Sequence, residues 1–344
     1  MRKLARFVIL LCPFAVIVAQ TTPTGQQVVA EIANQKLTDA DLEQKEGGKL
    51  LQARYQYYVS QRKALDDLID SQLISTEAAR RRVTVDQLLQ QEIYKGIKDP
   101  TEDQLQVYYE GLDTQQPYDA VRTQVLEHIR ELRRNKARAA YVAQLRKEAD
   151  ITVLLMPPVA ELDTANAYID GRRDAEIILV EFADYECPYC EKVNSQLLQL
   201  KKEYGDRLAI IYKDFPLPMH QRAEKAAEGA RCAGEQGKFW EFHNVLYSSR
   251  ALTTEQLKAQ ARVLGLNADQ FDQCLDSGSM SAAIKKDLQE AVALGLSGTP
   301  SFFVNGHFFS GAVEYSALKQ MVDQQLVVNA RSKPQPSLSK TGKP

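Results

Sequence analysis

The residues best suited to chemistry are Cys187-Pro188-Tyr189-Cys190, two sulfurs separated by two residues. On a helical turn that spacing holds the sulfurs within bonding distance, so they can stand as two thiols or as one disulfide and exchange with other thiols. The pair follows a short apolar run, Ile177 to Phe182, and is continued with helical spacing by Lys192, Val193, Leu197, Leu198 and Leu200. The pattern predicts a strand-to-helix junction with Cys187 at the helix N-terminus, where unpaired N–H groups and the dipole favour a thiolate. Cys187 is therefore the candidate nucleophile, and Cys190 the thiol that attacks a mixed disulfide and frees the client. Pro188 costs little there, because first-turn N–H groups have no intrahelical partner. The competing chemistry is half of a zinc site, which takes about four Cys or His ligands in two close pairs. Cys232 and Cys274 stand far apart and none of the 4 histidines makes a second pair, so no metal and no cofactor is implied.

Positioning this motif requires a sheet, and a second constellation supplies part of one. Gly298-Thr299-Pro300-Ser301-Phe302-Phe303-Val304-Asn305-Gly306 reads as a strand over Phe302 to Val304 opened by a proline, then a type I′ turn into His307-Phe308-Phe309. Between the motifs, helices are predicted over 223–234, 238–248, 254–264, 269–275 and 280–294, with Trp240 and Phe242 as core residues. Upstream, Met156-Pro157-Pro158 interrupts the pattern, and 156–165 reads as an interdomain linker.

Residues 26–155 have a different character: a short strand at Val28 to Ile32, then helices. Thr38 with Asp41, Thr84 with Gln87 and Thr101 with Gln104 resemble capping boxes and mark three helix starts. Leu65, Leu68, Ile69 and Leu73 share one helical face, as do Val85, Leu88, Leu89 and Ile93. No Gly or Pro interrupts the stretch from Asp119 to Ala149, which allows a helix of ~45 Å.

The ends and the composition set the setting. Arg2, Lys3 and Arg6 precede an apolar run from Phe7 to Ala19, which reads as a secretory signal peptide over 1–19. The run falls short of the ~20 residues that a spanning helix takes, although retention by an uncleaved N-terminal anchor stays open. Cleavage would remove Cys12 and leave four cysteines in an oxidising compartment. Residues 331–344 hold Lys, Ser and Pro with little that is apolar and read as a disordered tail. The length of 344 residues suits two domains, and 43 basic against 45 acidic residues, a net charge of -2, give no reason to expect a nucleic-acid partner.

Two resemblances organise these parts. Glu181-Phe182-Ala183-Asp184-Tyr185-Glu186 leading into Cys187-Pro188-Tyr189-Cys190, Tyr212-Lys213-Asp214-Phe215-Pro216-Leu217, and Gly298 to Gly306 together resemble the DsbA-like thiol-disulfide oxidoreductases. That resemblance implies an α/β thioredoxin fold with a helical insertion over 166–330. It also implies that Pro300 is a cis-proline facing the two sulfurs, with the backbone at Thr299 free to pair with a client peptide. Close relatives often carry a second disulfide in the insertion, which would join Cys232 to Cys274; a buried free pair is the alternative. In that family a buried acid at the place of Glu181 relays protons to the second cysteine, here Cys190, with Lys213 as a candidate partner; a solvated strand-edge carboxylate is the bland alternative. Val29 to Thr38, Leu68 to Ile74, Ala78 to Val85, and Pro100-Thr101 with Tyr108-Tyr109 resemble the N-terminal chaperone domain of SurA and parvulin-type foldases, mostly α-helical. A helical spacer or dimerisation module is the alternative there.

Together the resemblances imply a periplasmic, extracytoplasmic protein disulfide oxidase with an attached chaperone-like domain. Its expected partners are unfolded or reduced secreted proteins and a DsbB-like membrane protein that reoxidises it, with a homodimer through the helical domain open. Thr299 before Pro300 resembles the isomerase members, so an isomerase or reductase is the enzymatic alternative. A holdase chaperone with an accessory thiol site is the non-enzymatic one.

Overall fold

The computed structural model describes residues 27–310 and 314–332. The expected signal peptide at 1–19 lies outside the described residues, as does the chain beyond Ser332.

The N-terminal half begins with a hairpin of β1 (Val28–Ile32) and β2 (Gln35–Thr38), then α1 (Asp39–Arg81), α2 (Val85–Glu92), α3 (Glu102–Glu110) and α4 (Tyr118–Glu148). Each of the three expected capping boxes forms: the hydroxyls of Thr38, Thr84 and Thr101 accept from the third helical N–H, and Asp41, Gln87 and Gln104 reach back to the cap. The core of this half is thin. Ile74, Ala78, Leu88, Leu89, Ile93 and Val142 make one cluster, and Leu105 with Val121, Val125 and Ile129 makes another. Leu68 and Val85, expected on buried stripes, are exposed. α1 has 43 residues, ~65 Å of helix.

The C-terminal half carries β3 (Tyr168–Asp170), β4 (Ile177–Ala183), α5 (Pro188–Tyr204), β5 (Leu208–Asp214), α6 (Ala223–Gly234), α7 (Phe239–Ser249), α8 (Thr254–Val263), α9 (Ala268–Ser277), α10 (Ser281–Ala293), β6 (Ser301–Val304), β7 (His307–Ser310) and α11 (Tyr315–Ser332). The sheet order is β3-β5-β4-β6-β7, with β4 parallel to β5 and antiparallel to β6. Apolar residues on both faces of β4 explain its central place. Ile177 and Leu179 face Val193, Leu197 and Leu200 of α5 and Leu318 and Val322 of α11. Val180 and Phe182 face the other way, toward Phe303, Phe308, Ala291 and Leu296. Asn305 and Gly306 both have positive φ, 49° and 81°, as the expected type I′ turn requires. The insertion α6–α10 packs its own cluster around Phe242, Leu246, Phe271 and Leu275, and a disulfide joins Cys232 on α6 to Cys274 on α9 with a Cα–Cα distance of 5.9 Å.

The stretch between the two halves and the start of the tail are both held by neighbouring elements. The stretch 156–165 runs along the edge strand β7: Phe308 N–H donates to Pro158 O (3.0 Å), Ala160 N–H to Gly306 O (2.9 Å), and Pro157 O lies 2.7 Å from His307 Nδ1. An unpaired sheet edge offers donors and acceptors, and this segment takes them up instead of swinging free. At the other end, Arg331 and Ser332 complete α11 rather than opening the tail, since Asn329 anchors its last turns on Glu176 O at 3.1 Å.

Candidate active site

β4 delivers the chain to a three-residue turn, Asp184 to Glu186, and Cys187 is the N-cap of α5 with Pro188 in its first turn. Asp184 fixes that turn from within. Its carboxylate accepts from Glu186 N–H (2.7 Å) and Leu217 N–H (2.8 Å) and lies 2.7 Å from His220 Nδ1, while its carbonyl accepts from Cys187 N–H at 3.1 Å. Glu186, which by sequence position would oppose a thiolate, is drawn off into an ion pair with Arg222 (2.7 Å).

Cys187 and Cys190 are free thiols, both buried. Across from them stands the cis peptide Thr299–Pro300, with Thr299 O 3.5 Å from Cys187 Sγ. The two sulfurs are pushed in opposite directions. The Cys187 thiol is pulled down to about 5, first by the hydrogen bond from Cys190, then, against burial, by Thr299 and the backbone N–H groups of Cys190 and Tyr189. Those amides belong to the first turn of α5, so the geometry converts the helix terminus into thiolate stabilisation. The Cys190 thiol is pushed up, by burial first and then by donating to Cys187.

Glu181 lies on β4 with only 1 % exposure, and its Oε1 has no partner among the described residues. Burial, and then the Cys187 charge, push it up to about 8. Lys213 is not its partner. In the β4–β5 register Glu181 pairs with Tyr212 and Phe182 with Lys213, so the alternating pleat sends Lys213 to the opposite face. There Lys213 meets Asp287 (3.1 Å) and Glu290.

Sequence reasoning missed the aromatic wall behind the sulfurs. Tyr185, Tyr212 and Tyr247 are buried around His243, whose Nδ1 is 3.0 Å from Tyr185 Oη and whose Nε2 is 3.2 Å from Asn194 Oδ1. Burial pulls His243 down to about 3, so the ring stays neutral. Tyr247 is raised by burial and then by charge on Cys190 and Glu181. The signal was the aromatic content of Trp240 to Tyr247, but no spacing in the chain ties that helix to Cys190. A groove of about 660 Å³ opens beside this wall between α5 and α7, lined by Pro188, Glu191, Ser195, Leu198, Asn244 and Tyr247. Among the described residues no cluster of His, Cys, Asp and Glu could hold a metal ion, and no helix is long and apolar enough to cross a membrane.

The model of the thioredoxin family matches residues 163–324. Among curated proteins, the Na(+)/H(+) antiporter NhaA of Herminiimonas arsenicoxydans is 35% identical over 170 residues, 49% of this chain and 26% of that protein. The chain thus spans about a quarter of the length of that relative. A solved thioredoxin-like oxidoreductase from Silicibacter pomeroyi DSS-3 is 28% identical, with a TM-score of 0.43 over 48% of this chain and 95% of that one. The alpha-DsbA1 structure from Wolbachia pipientis is 22% identical, with a TM-score of 0.44 over 49% and 96%. The C-terminal half is a thioredoxin-like α/β domain, and the N-terminal region is helical.

Proposed function

We propose that this chain is an extracytoplasmic thiol:disulfide oxidoreductase that forms disulfides in folding proteins. The observation that carries the reading is the split between the two sulfurs: a Cys187 thiol pulled down to about 5 beside a Cys190 thiol pushed up. A stabilised Cys187 thiolate favours the reduced pair, so the oxidised pair readily passes its disulfide on.

In that direction a client thiolate attacks Cys187 Sγ of the Cys187–Cys190 disulfide, and Cys190 leaves. Its sulfur is buried and must be protonated; Glu181, pushed up to about 8, holds a proton at neutral pH and is the group placed to give it. A second client thiolate then attacks the client sulfur of the mixed disulfide and expels Cys187 as its stabilised thiolate. The client loses two electrons and gains a disulfide, and the enzyme pair is left reduced, which requires a reoxidising partner in the membrane.

The helical half serves as a chaperone-like arm for the unfolded client, supported by exposed apolar side chains such as Tyr57, Leu68 and Val107. A second reading, isomerase or reductase, is favoured by Thr299, which stands before the cis-proline with its carbonyl 3.5 Å from Cys187 Sγ. The deciding experiment traps the redox state of Cys187 in cells with an alkylating mass tag. A mostly oxidised pair supports the oxidase; a mostly reduced pair assigns the isomerase or reductase.

A further inference from the structure

The two halves meet where the backbone of α1 touches a turn of the C-terminal half. α10 ends at Ala293 with Leu294 as its C-cap, and Gly295 (φ 70°) reverses the chain, with Leu296 N–H donating to Ala291 O at 2.9 Å. Gly48 of α1 lies directly on this turn. A Cβ on Gly48 would fall 2.4 Å from Ala293 O and 2.6 Å from Gly295 N; one on Gly295 would fall 2.6 Å from Gly48 O. Glycine in a helix interior costs about 1 kcal/mol relative to alanine, and here it permits a backbone-to-backbone contact that no other residue allows. Three further contacts surround it. Gln52 Nε2 donates to Leu294 O (3.3 Å), Leu51 is buried in the cluster that holds Leu296, Phe303 and Phe308, and Tyr55 packs edge-on against Phe308 (4.7 Å) while its hydroxyl accepts from Ser310 N–H (3.3 Å).

What this contact holds is the approach to the active site. Leu296 is buried under α1, and three residues later Thr299 places its carbonyl beside Cys187 Sγ. The other flank of α10 is fixed by the buried ion cluster, in which Asp287 and Glu290 meet Lys213 and Asp287 also meets Arg231. With α10 clamped from both sides, a displacement at Gly295 has few ways to relax other than along 296–299.

We infer that the α1 segment Gly48–Tyr55 is a positioning element for the Thr299–Pro300 loop, so that the helical half sets how the thiol site presents itself to a client peptide. This inference rests on the thiol-exchange reading above. Gly48, Gln52 and Tyr55 act through the loop and touch no reacting atom.

The test uses a matched pair of glycines. Gly47 is the neighbour of Gly48, and a Cβ there meets only Glu43 Oε1 at 3.7 Å. In full-length protein, Gly47→Ala and Gly48→Ala make the same change in helix propensity, but only the second drives the turn back by about 1 Å. Gly48→Ala should raise the KM for a reduced, unfolded client about fivefold relative to Gly47→Ala while kcat changes less, and should shift the pH midpoint of Cys187 alkylation. A folded Gly48→Ala protein with the KM, kcat and alkylation midpoint of Gly47→Ala would overturn the inference. If Gly48→Ala does not fold, Gln52→Ala and Tyr55→Phe remove hydrogen bonds without adding bulk; a KM rise of about twofold supports the inference and no change in either overturns it. A wild-type protein that exchanges no disulfides refutes the functional reading instead, and the alkylation midpoint still decides whether α1 positions the loop.

Discussion

The two halves of the molecule handle charge in opposite ways. In the helical half the strong shifts come from ion pairs with arginine: Glu102 is pulled down to about 2 by hydrogen bonds from Arg122 and Tyr118, in a site open to water. Such pairs contribute little to stability and perform no chemistry. In the thioredoxin-like half three of the strong shifts, at groups behind and beside the sulfurs, come from burial. Glu181 is pushed up to about 8, His243 down to about 3, Asp214 up to about 6, and desolvation is the leading cause in each. The difference teaches where function can reside. A closed, aromatic-lined core shifts the protonation equilibrium of a group far from its value in water, whereas the thin helical core of α1–α4 leaves its charged groups to surface pairs.

That contrast is most exposed at the nucleophile. Cys187→Ser should lower thiol-disulfide exchange by at least about 10^3-fold with no loss of fold, because no other described thiol is free except Cys190 behind it. Cys190→Ser should instead accumulate mixed disulfides with clients, read by mass on non-reducing gels. Residual exchange in Cys187→Ser within tenfold of wild type would place the chemistry elsewhere and dissolve the distinction between the halves.

The next effect tests whether the helical half folds on its own terms. Ile74 is buried in the distal cluster with Leu88 and Val142, far along α1 from Gly48. Ile74→Ala should cost about 2–4 kcal/mol in that cluster. Thermal unfolding should then show the helical half melting first while reduction of a small-molecule disulfide continues at the wild-type rate. A single transition shifted as a whole would mean that the α1 contact couples the halves into one cooperative unit.

Removing the disulfide by Cys232→Ala with Cys274→Ala should destabilise the insertion by about 2–4 kcal/mol through the freed loop, measured by denaturant titration, without moving the Cys187 titration. A changed Cys187 titration would mean that the α6–α9 pairing reaches the active site.

Much of the C-terminal half was legible in the chain because its signals are local. Pro188 at a helix start, the Asn305-Gly306 turn and the apolar run of β4 each state their own conformation, and the insertion helices lie within a residue or two of the periodic segments. The three capping boxes made the helical half legible in the same way. What was not legible depends on contacts between distant residues. The side of the sheet on which Lys213 emerges follows from strand register, the aromatic wall on α7 follows from how the insertion folds back, and Gly48 takes its meaning from a turn some 245 residues later. The stretch 156–165 looked like a linker because its own residues carry no periodicity; its order comes from the edge of β7.

The smallest expected effect separates a buried acid that works from one that is merely tolerated. Glu181 keeps its proton at neutral pH because burial pushes it up to about 8, so it can protonate Cys190 as that sulfur leaves. Glu181→Gln preserves shape and removes the transferable proton, and should slow client oxidation about tenfold near pH 7. The ratio of wild-type to variant rates isolates the acid from the client's own thiol titration. It should fall toward one as pH rises through about 8, where the wild-type Glu181 also loses its proton. Stability follows the same sign. A carboxyl whose folded value is raised from 4.5 contributes fully below 4.5 and loses that contribution as pH rises through about 8, so the wild type should lose Tm with rising pH relative to the Gln variant. If the Tm difference appears without the rate ratio, Glu181 is a buried acid that the core tolerates, and the proton for Cys190 comes from water reaching the groove between α5 and α7.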